Sequence, residues 1–386
     1  MLGLLLARAG VRTTVVEKHL DFIHDFRGDT IHPSTLDAMA ELGFLEEFLA
    51  LPHQKARSLH AEISGQPATI ADFSRLPTRC RYIAFMPQWD FLSFLARKAS
   101  AYSNFHLMMG YEVTGLLEED GHSTGVRLCD KDGNVSALKA DLTIGADGRK
   151  SVVRREAHLD IQDLGSSVDV LWMRLSRQPS DPAQAMSHAG PSQGLVMIDR
   201  GDYWQIGYVI RKGRFEETKQ DGLPALRLRL AALSPLPSDR FEELDGWDQV
   251  HLLEVRMDRV KHWWKPGVLC IGDAAHAMSP IGGVGVNLAI QDAVAAANIL
   301  AVPLREGRLA DADLRAVQAR RSFPTRAPQK VQLMMRRKRK STGDGTHPAK
   351  PPAFLCVIAR SRLMPHLVGR LIGLGFRPEH IIRDER

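Results

Sequence analysis

The sequence predicts a mixed α/β architecture: a doubly wound, Rossmann-like domain, an antiparallel sheet domain inserted into it, and C-terminal helices. Three observations predict it. Two short apolar strands, Arg12–Glu17 and Val268–Gly272, lie among helical segments near opposite ends of the chain, and each delivers an acidic residue at or just past its end. Between them, Val168–Leu175 alternates, and Gly194–Ile198 and Tyr203–Ile210 flank the turn Asp199-Arg200-Gly201-Asp202, a hairpin signature. Beyond Val286 the pattern is mostly helical.

Taken in order, Leu2–Ala9 reads as the end of a helix with Gly10 as its cap, followed by the strand ending at Glu17. Pro33 and Ser34 start an amphipathic helix reaching Leu45. Residues 58–71 alternate weakly, as strands do, and Gln88–Ser100 places Phe91, Leu92, Leu95 and Ala99 on one helical face. Strands are expected at His106–Leu117, Gly125–Leu128 and Ala140–Gly145. In the middle third, Val168–Leu175 joins the hairpin strands, a helix runs from Leu223 to Ala232, and one strand spans Leu252–Val260. A long helix over Val286–Ala301 precedes a helical remainder interrupted by a polar segment at Ser341–Pro352.

Composition bounds the function. The 386 residues suit two or three packed domains. Lys and Arg total 51 and Asp and Glu 45, and this net +6 is too weakly basic to imply nucleic acid. The basic run Arg336–Lys340 reads as a solvated helix end. Four scattered cysteines with no CxxC pair exclude a disulfide framework and argue against a metal site, so a reduced, cytoplasmic chain is expected. The apolar runs at Leu2–Ala7 and Ala293–Val302 read as too short to span a membrane, and 353–376 reads as a packed amphipathic helix rather than a membrane-surface one.

Three constellations carry chemistry. Glu17 ends its strand where dinucleotide-binding units place an acid that accepts hydrogen bonds from ribose hydroxyls, although a solvated charge is the commoner use of such a position. Gly145-Ala146-Asp147-Gly148-Arg149, with Ser151 and Arg154 behind it, is a strand end built of small residues that lets a ligand approach the backbone, or a plain Asp-Gly turn. Arg149 or Arg154 can meet phosphate there. The third segment runs Cys270-Ile271-Gly272-Asp273-Ala274-Ala275-His276 and on through Pro280-Ile281-Gly282-Gly283-Val284-Gly285-Val286-Asn287. A buried strand delivers Asp273 at its C-terminal end, glycines permit close approach, and a helix follows whose N-terminal N–H groups and positive dipole suit the pyrimidine edge of a reduced flavin.

Asp147-Gly148 and Gly272-Asp273, in that order, resemble the p-hydroxybenzoate hydroxylase-like family of single-component FAD-dependent aromatic monooxygenases, over essentially the whole chain. The resemblance implies that Glu17 holds the adenosine ribose, and that Arg27 and Gln88 contact the pyrophosphate and ribityl region. It implies that Asp147 and Gly148 contribute to the FAD site and to NAD(P)H engagement, that Asp273, with Ala274 beside it, binds a ribityl hydroxyl, and that Pro280 and Gly283, Gly285, Val286 and Asn287 line the isoalloxazine ring. It assigns no catalytic acid or base, and His276 reads as structural. Family members begin with a strand and GxGxxG, and here Met1 falls just after the third glycine, so the expectation is a chain truncated at its N-terminus.

The implied activity is hydroxylation of an aromatic or polyketide-like substrate with NAD(P)H and O₂ through a flavin C4a-hydroperoxide. The alternatives are another flavin oxidoreductase, a reductase or halogenase, on the same fold, or a non-catalytic remnant. The expected division assigns 1–64, 82–160 and 255–325 to the FAD-binding domain, 65–81 and 161–254 to the substrate-binding sheet, and 326–386 to a C-terminal helical region. Oligomeric state is not legible.

Overall fold

A computed structural model describes residues 1–22, 30–63, 66–182, 187–189, 194–340 and 361–382. The chain enters through helix α1 (Leu2–Arg8), whose Leu4, Leu5 and Leu6 are buried, and turns at Gly10 into strand β1 (Thr13–Glu17). After β2 (Thr30–Ile31), the single helix expected over Ser34–Leu45 is two helices, α2 (Pro33–Glu41) and α3 (Leu45–Leu49). Gly43 breaks it: it adopts φ +77°, and Phe44 N–H reaches back to Met39 O at 2.8 Å, the closing pattern of a helix C-terminus.

Strands β3 (Gln54–Ala56), β4 (Ser58–Ile63), β5 (Gln66–Asp72) and β6 (Ile83–Phe85) lead to α4 (Gln88–Ala99). Next come β7 (Phe105–Met109), the meander β8 (Tyr111–Glu119), β9 (His122–Asp130) and β10 (Val135–Lys139), then β11 (Thr143–Gly145) and α5 (Val152–Glu156). The middle third holds β12 (Ile161–Asp163), β13 (Val168–Ser176), β14 (Ser187–Ala189), β15 (Gly194–Asp199) and β16 (Tyr203–Arg211). Helices α6 (Phe215–Gln220) and α7 (Leu223–Ala231) precede β17 (His251–Leu253), β18 (Asp258–Val260), β19 (Trp264–Lys265) and β20 (Val268–Cys270). The chain then forms α8 (Asp273–His276), α9 (Val284–Arg305), α10 (Asp311–Lys340) and α11 (Met364–Gly373).

Parallel pairing marks the doubly wound part: β1 lies parallel to β7, and β11 lies parallel to β20. A separate seven-stranded sheet has the order β17-β13-β16-β15-β14-β4-β5. It begins at Ser58, upstream of the expected boundary at 65. The expected strand Leu252–Val260 is divided between layers, since β17 pairs with β13 of this sheet while β18 pairs with β12. Asp169 holds the crossover, accepting from Val255 N–H at 2.9 Å, Gly213 N–H at 2.9 Å and Lys212 Nζ at 2.7 Å.

Alternation sorts the large sheet into two faces. Leu171, Met173 and Leu175, with Ile206, Trp204 and Tyr208 opposite them, are buried in one cluster with Leu226 and Leu230 of α7. Trp204 and Tyr208 are therefore core residues. The other face carries Trp172, Val209, Val196 and Ile198, with Gln205 at one end.

The C-terminal half of the core is organised by α9, which the sequence bounded at Val286–Ala301 and which runs 22 residues. By length and composition this helix is apolar enough to cross a membrane, which corrects the reading of its apolar run as too short. Its apolarity has a packing cause: Val294, Ala296, Ala297 and Leu300 are buried against α1, β20 and α10.

Candidate functional site

The two Asp-Gly motifs meet. In the β11–β20 pair Gly145 stands beside Cys270, and Ile271 N–H donates to Gly145 O at 3.0 Å. A Cβ at Gly145 would sit 2.9 Å from Val153 Cβ and 3.1 Å from Cys270 Sγ, so the strand must end on a glycine for α5 to pack there. Burial, and then the nearby Asp147 carboxylate, push the Cys270 thiol up to about 12.

Beyond the strand, Asp147 caps α5, its Oδ2 accepting from Val152 N–H at 2.7 Å and Val153 N–H at 3.1 Å. Gly148 turns the chain at φ +80°. Two arginines then cross to the second motif. Arg149 donates to Asp273 Oδ2 through Nε at 3.2 Å and Nη2 at 2.8 Å. Arg154, almost fully buried, donates through Nη1 to Asp258 Oδ1 at 3.1 Å and Ala274 O at 3.3 Å, and through Nη2 to Arg149 O at 2.8 Å. Arg154 thus ties the Asp147-Gly148 turn to Asp273-Ala274 from behind. Burial raises the pKa of its partner Asp258 even beside that charge.

The glycine-rich segment packs on α2. Gly272 adopts φ +60°, ψ −143°, a conformation open essentially to glycine alone. After Pro280, Gly282 and Gly283 have φ +83° and +63°, and α9 starts at Val284 without a side-chain cap. Its first N–H groups therefore remain donors for a ligand. Thr30 Oγ1 donates to Gly283 O at 3.2 Å, and a Cβ on Gly283 would collide with that hydroxyl at 2.5 Å. Gly285 lies against the Asp273 carboxylate, at 3.9 Å from its ideal Cβ to Oδ1. Val286 packs among the α2 and α4 side chains. Asn287 is buried, its Oδ1 accepting from Ser34 Oγ at 2.7 Å and Thr35 Oγ1 at 2.9 Å, so its carbonyl fastens α9 to α2.

Gln88 begins α4 directly after β6, and β6 pairs with β2 so that Phe85 stands opposite Thr30, the residue that touches Gly283. Glu17 stands at the end of β1 in the other parallel pair, and its Oε1 accepts from His19 N–H at 3.0 Å. Arg27 lies outside the described residues.

Sequence reasoning missed what lies beneath the loop. Asp292 Oδ2 accepts from Gly272 N–H at 3.0 Å and pairs with His276 Nε2 at 2.6 Å. Its other oxygen accepts from Arg321 Nε at 2.8 Å, and Arg321 Nη1 reaches Glu379 Oε1 at 3.1 Å. Burial alone would raise the pKa of Asp292, but His276 and Arg321 hold it below the ordinary carboxylate range. His276, also against Trp263 with ring centroids 5.0 Å apart, is part of the scaffold. The signal was present: Asp292 is the lone acid in the apolar stretch Val284–Leu304.

The donors present fit a flavin dinucleotide. A glycine cradle and an uncapped helix start face the same loop as a carboxylate suited to hydroxyls, and Arg149 Nη1 is a buried donor that meets no acceptor among the described residues.

Comparison with known proteins agrees. The FAD binding domain family matches residues 1–330. The 6-methylpretetramide 4-monooxygenase of Streptomyces rimosus is 32% identical over 358 residues, 92% of this chain and 85% of that protein. The rifampicin monooxygenase of Streptomyces venezuelae is 28% identical over 75% of the chain, which spans 60% of that relative. The crystal structure of p-nitrophenol 4-monooxygenase from Pseudomonas putida superposes with a TM-score of 0.77 at 19% identity, covering 95% of this chain and 93% of that one, and so shares the fold.

Proposed function

The chain belongs to the FAD binding domain family and is an FAD-dependent aromatic monooxygenase, and from that premise we propose that it hydroxylates a polyketide-like phenol using NAD(P)H and O₂. The observation that carries the site is the meeting of the Asp147-Gly148 turn with Asp273 through Arg149 and Arg154. When bound, FAD supplies acceptance of hydride from NAD(P)H and transfer of one oxygen atom from O₂.

The residues divide the remaining tasks. Asp273 and Ala274 hold the ribityl chain, with Asp147 and Gly148 shaping the turn beside it. Pro280, Gly283, Gly285 and Val286 border the ring, and the dipole of α9 stabilises negative charge at its edge. Asn287 keeps the first turn of α9 in register with α2. Glu17, Arg27 and Gln88 complete the assignment at the ribose, pyrophosphate and ribityl positions.

The substrate is placed beneath the open face of the large sheet. There the Trp172 ring lies against Gly207, whose ideal Cβ would be 2.9 Å from Trp172 Cζ3, and its indole N–H is buried without a partner among the described residues. An aromatic oxygenated substrate offers both a face for that ring and an acceptor for that donor. At the hairpin end of the sheet, Arg200 stacks over Phe85 at 5.9 Å and Gln54 donates to Asp199 at 3.0 Å, tying the sheet to the strand that leads to Gln88. The apolar face excludes water from the reacting centre. S. rimosus 6-methylpretetramide 4-monooxygenase, by name, acts on such a compound, which supports the substrate class.

The expected division between an FAD-binding part, a sheet domain and a C-terminal helical region is part of this reading, as is a cytosolic location, in keeping with the unpaired Cys80, Cys129 and Cys270. The test is to load the protein with FAD and follow NADH and NADPH oxidation with a panel of phenols. Substrate-stimulated oxidation with a product one oxygen heavier is expected. Oxidation that no phenol stimulates contradicts the proposal.

A further inference from the structure

Arg149 spends two of its three guanidinium nitrogens on one atom. Both Nε and Nη2 donate to Asp273 Oδ2, at 3.2 and 2.8 Å, which leaves Oδ1 on the side of Gly285 and the start of α9. The third nitrogen, Nη1, is buried with no acceptor among the described residues. A buried guanidinium N–H without a partner is costly, and the cost is recovered when a ligand brings an anionic oxygen to it. The neighbouring arginine is not available for that task, because Arg154 is committed to Asp258, Ala274 O and Arg149 O. The last of these bonds, at 2.8 Å, also fixes the backbone of Arg149, so its side chain is presented from a rigid turn.

Charge points the same way. An unneutralised Asp273 beside a dianionic pyrophosphate would repel it. The ion pair cancels the carboxylate charge while keeping its second oxygen for a neutral hydroxyl. We propose that Arg149 is a cofactor-binding residue that donates from Nη1 to an anionic phosphate oxygen of FAD, working as a unit with Asp273, which takes a ribityl hydroxyl through Oδ1. This rests on the FAD reading above and goes beyond it by assigning phosphate recognition to a side chain of the Asp147-Gly148 turn.

The experiment titrates riboflavin, FMN and FAD into the apoprotein, by quenching of flavin fluorescence, for the natural chain, Arg149→Met, Arg149→Lys and Arg149→Met/Asp273→Asn. Circular dichroism and the thermal midpoint of each apoprotein report folding. Arg149→Met is expected to weaken FMN and FAD by roughly tenfold or more, the scale of one charge-assisted contact. Riboflavin, which has no phosphate, is expected to bind the natural chain and this variant alike. Arg149→Lys is expected to recover part of the loss, and the double variant to weaken all three flavins. Unchanged FAD affinity in a folded Arg149→Met protein overturns the proposal, as does an equal loss for riboflavin, which would make Arg149 a mere support for Asp273. Both results leave the FAD assignment standing. A natural chain that binds none of the three flavins overturns that assignment and this inference together.

Discussion

Arg321 donates from Nε to Asp292 Oδ1 at 2.8 Å, and both side chains are completely buried. The bond reaches from α10 into α9, and the other oxygen of Asp292 holds Gly272 N–H and His276 Nε2. The glycine-rich loop is therefore supported from below by a charge that a distant helix balances. Glu379 extends the chain of charges, accepting from both Arg321 and Arg320.

Arg321→Met leaves Asp292 in the core without its arginine and deprives Glu379 of its buried partner. Removing one member of a buried ion pair costs on the order of 3–5 kcal/mol. Denaturant unfolding is expected to show a loss of that size. Adding Asp292→Asn to Arg321→Met removes the orphaned charge and is expected to recover part of it. Equal stability of the single and double variants would contradict a charge origin.

His32 makes stability depend on pH. It is fully buried, its Nδ1 lies 2.8 Å from Ile372 O, and burial pushes its pKa from 6.5 down to about 4. Between those values the unfolded chain binds the proton and the folded one does not, so stability from this residue is complete above 6.5 and is lost as pH falls toward 4. The amount is about 3 kcal/mol at about 1.4 kcal/mol per unit. His32→Gln is expected to flatten the decline of the thermal midpoint across this window. A decline as steep as that of the natural protein would refute the assignment.

Cys270 is expected to resist alkylation in the folded protein. Its thiol is buried, its pKa is pushed up to about 12, and the thiolate is the reactive form. Iodoacetamide at mildly alkaline pH, read by peptide mass spectrometry, is expected to modify half-buried Cys129 ahead of buried Cys270, which reacts only on unfolding. Early labelling of Cys270 would mean that the β11–β20 core opens.

Gly207→Ala tests the sheet face. The added methyl would lie 2.9 Å from Trp172 Cζ3 and lift the ring from its seat. The expected result is a KM for the aromatic substrate raised severalfold with FAD affinity unchanged. Weakened FAD binding with normal KM would place Trp172 away from the substrate.

The local motifs were legible because strand-end acids and paired glycines are written contiguously. Asp147-Gly148 and Gly272-Asp273 were recognised from sequence, and β11 and β20 place them side by side. The faces of β13 and β16 followed from simple alternation. What stayed hidden is contact across long separations. Nothing local in Arg321 says that it balances Asp292 and Glu379, and only the packing of α9 on α10 brings Arg321 to Asp292. The split of Leu252–Val260 between two layers was likewise invisible, because an alternating run of apolar and charged residues keeps its pattern whichever sheet receives each half. The Asn287 carbonyl is occupied by the hydroxyls of Ser34 and Thr35, which no spacing rule connects to it.

The most direct measurement is a turnover under ¹⁸O₂ with FAD, NAD(P)H and a phenolic substrate, read by mass spectrometry of the product. The account predicts one ¹⁸O atom in the hydroxylated ring and none from labelled water, with incorporation falling in Arg149→Met in step with FAD occupancy. A product oxygen drawn from water, or peroxide released with no hydroxylated product at full FAD occupancy, would contradict it.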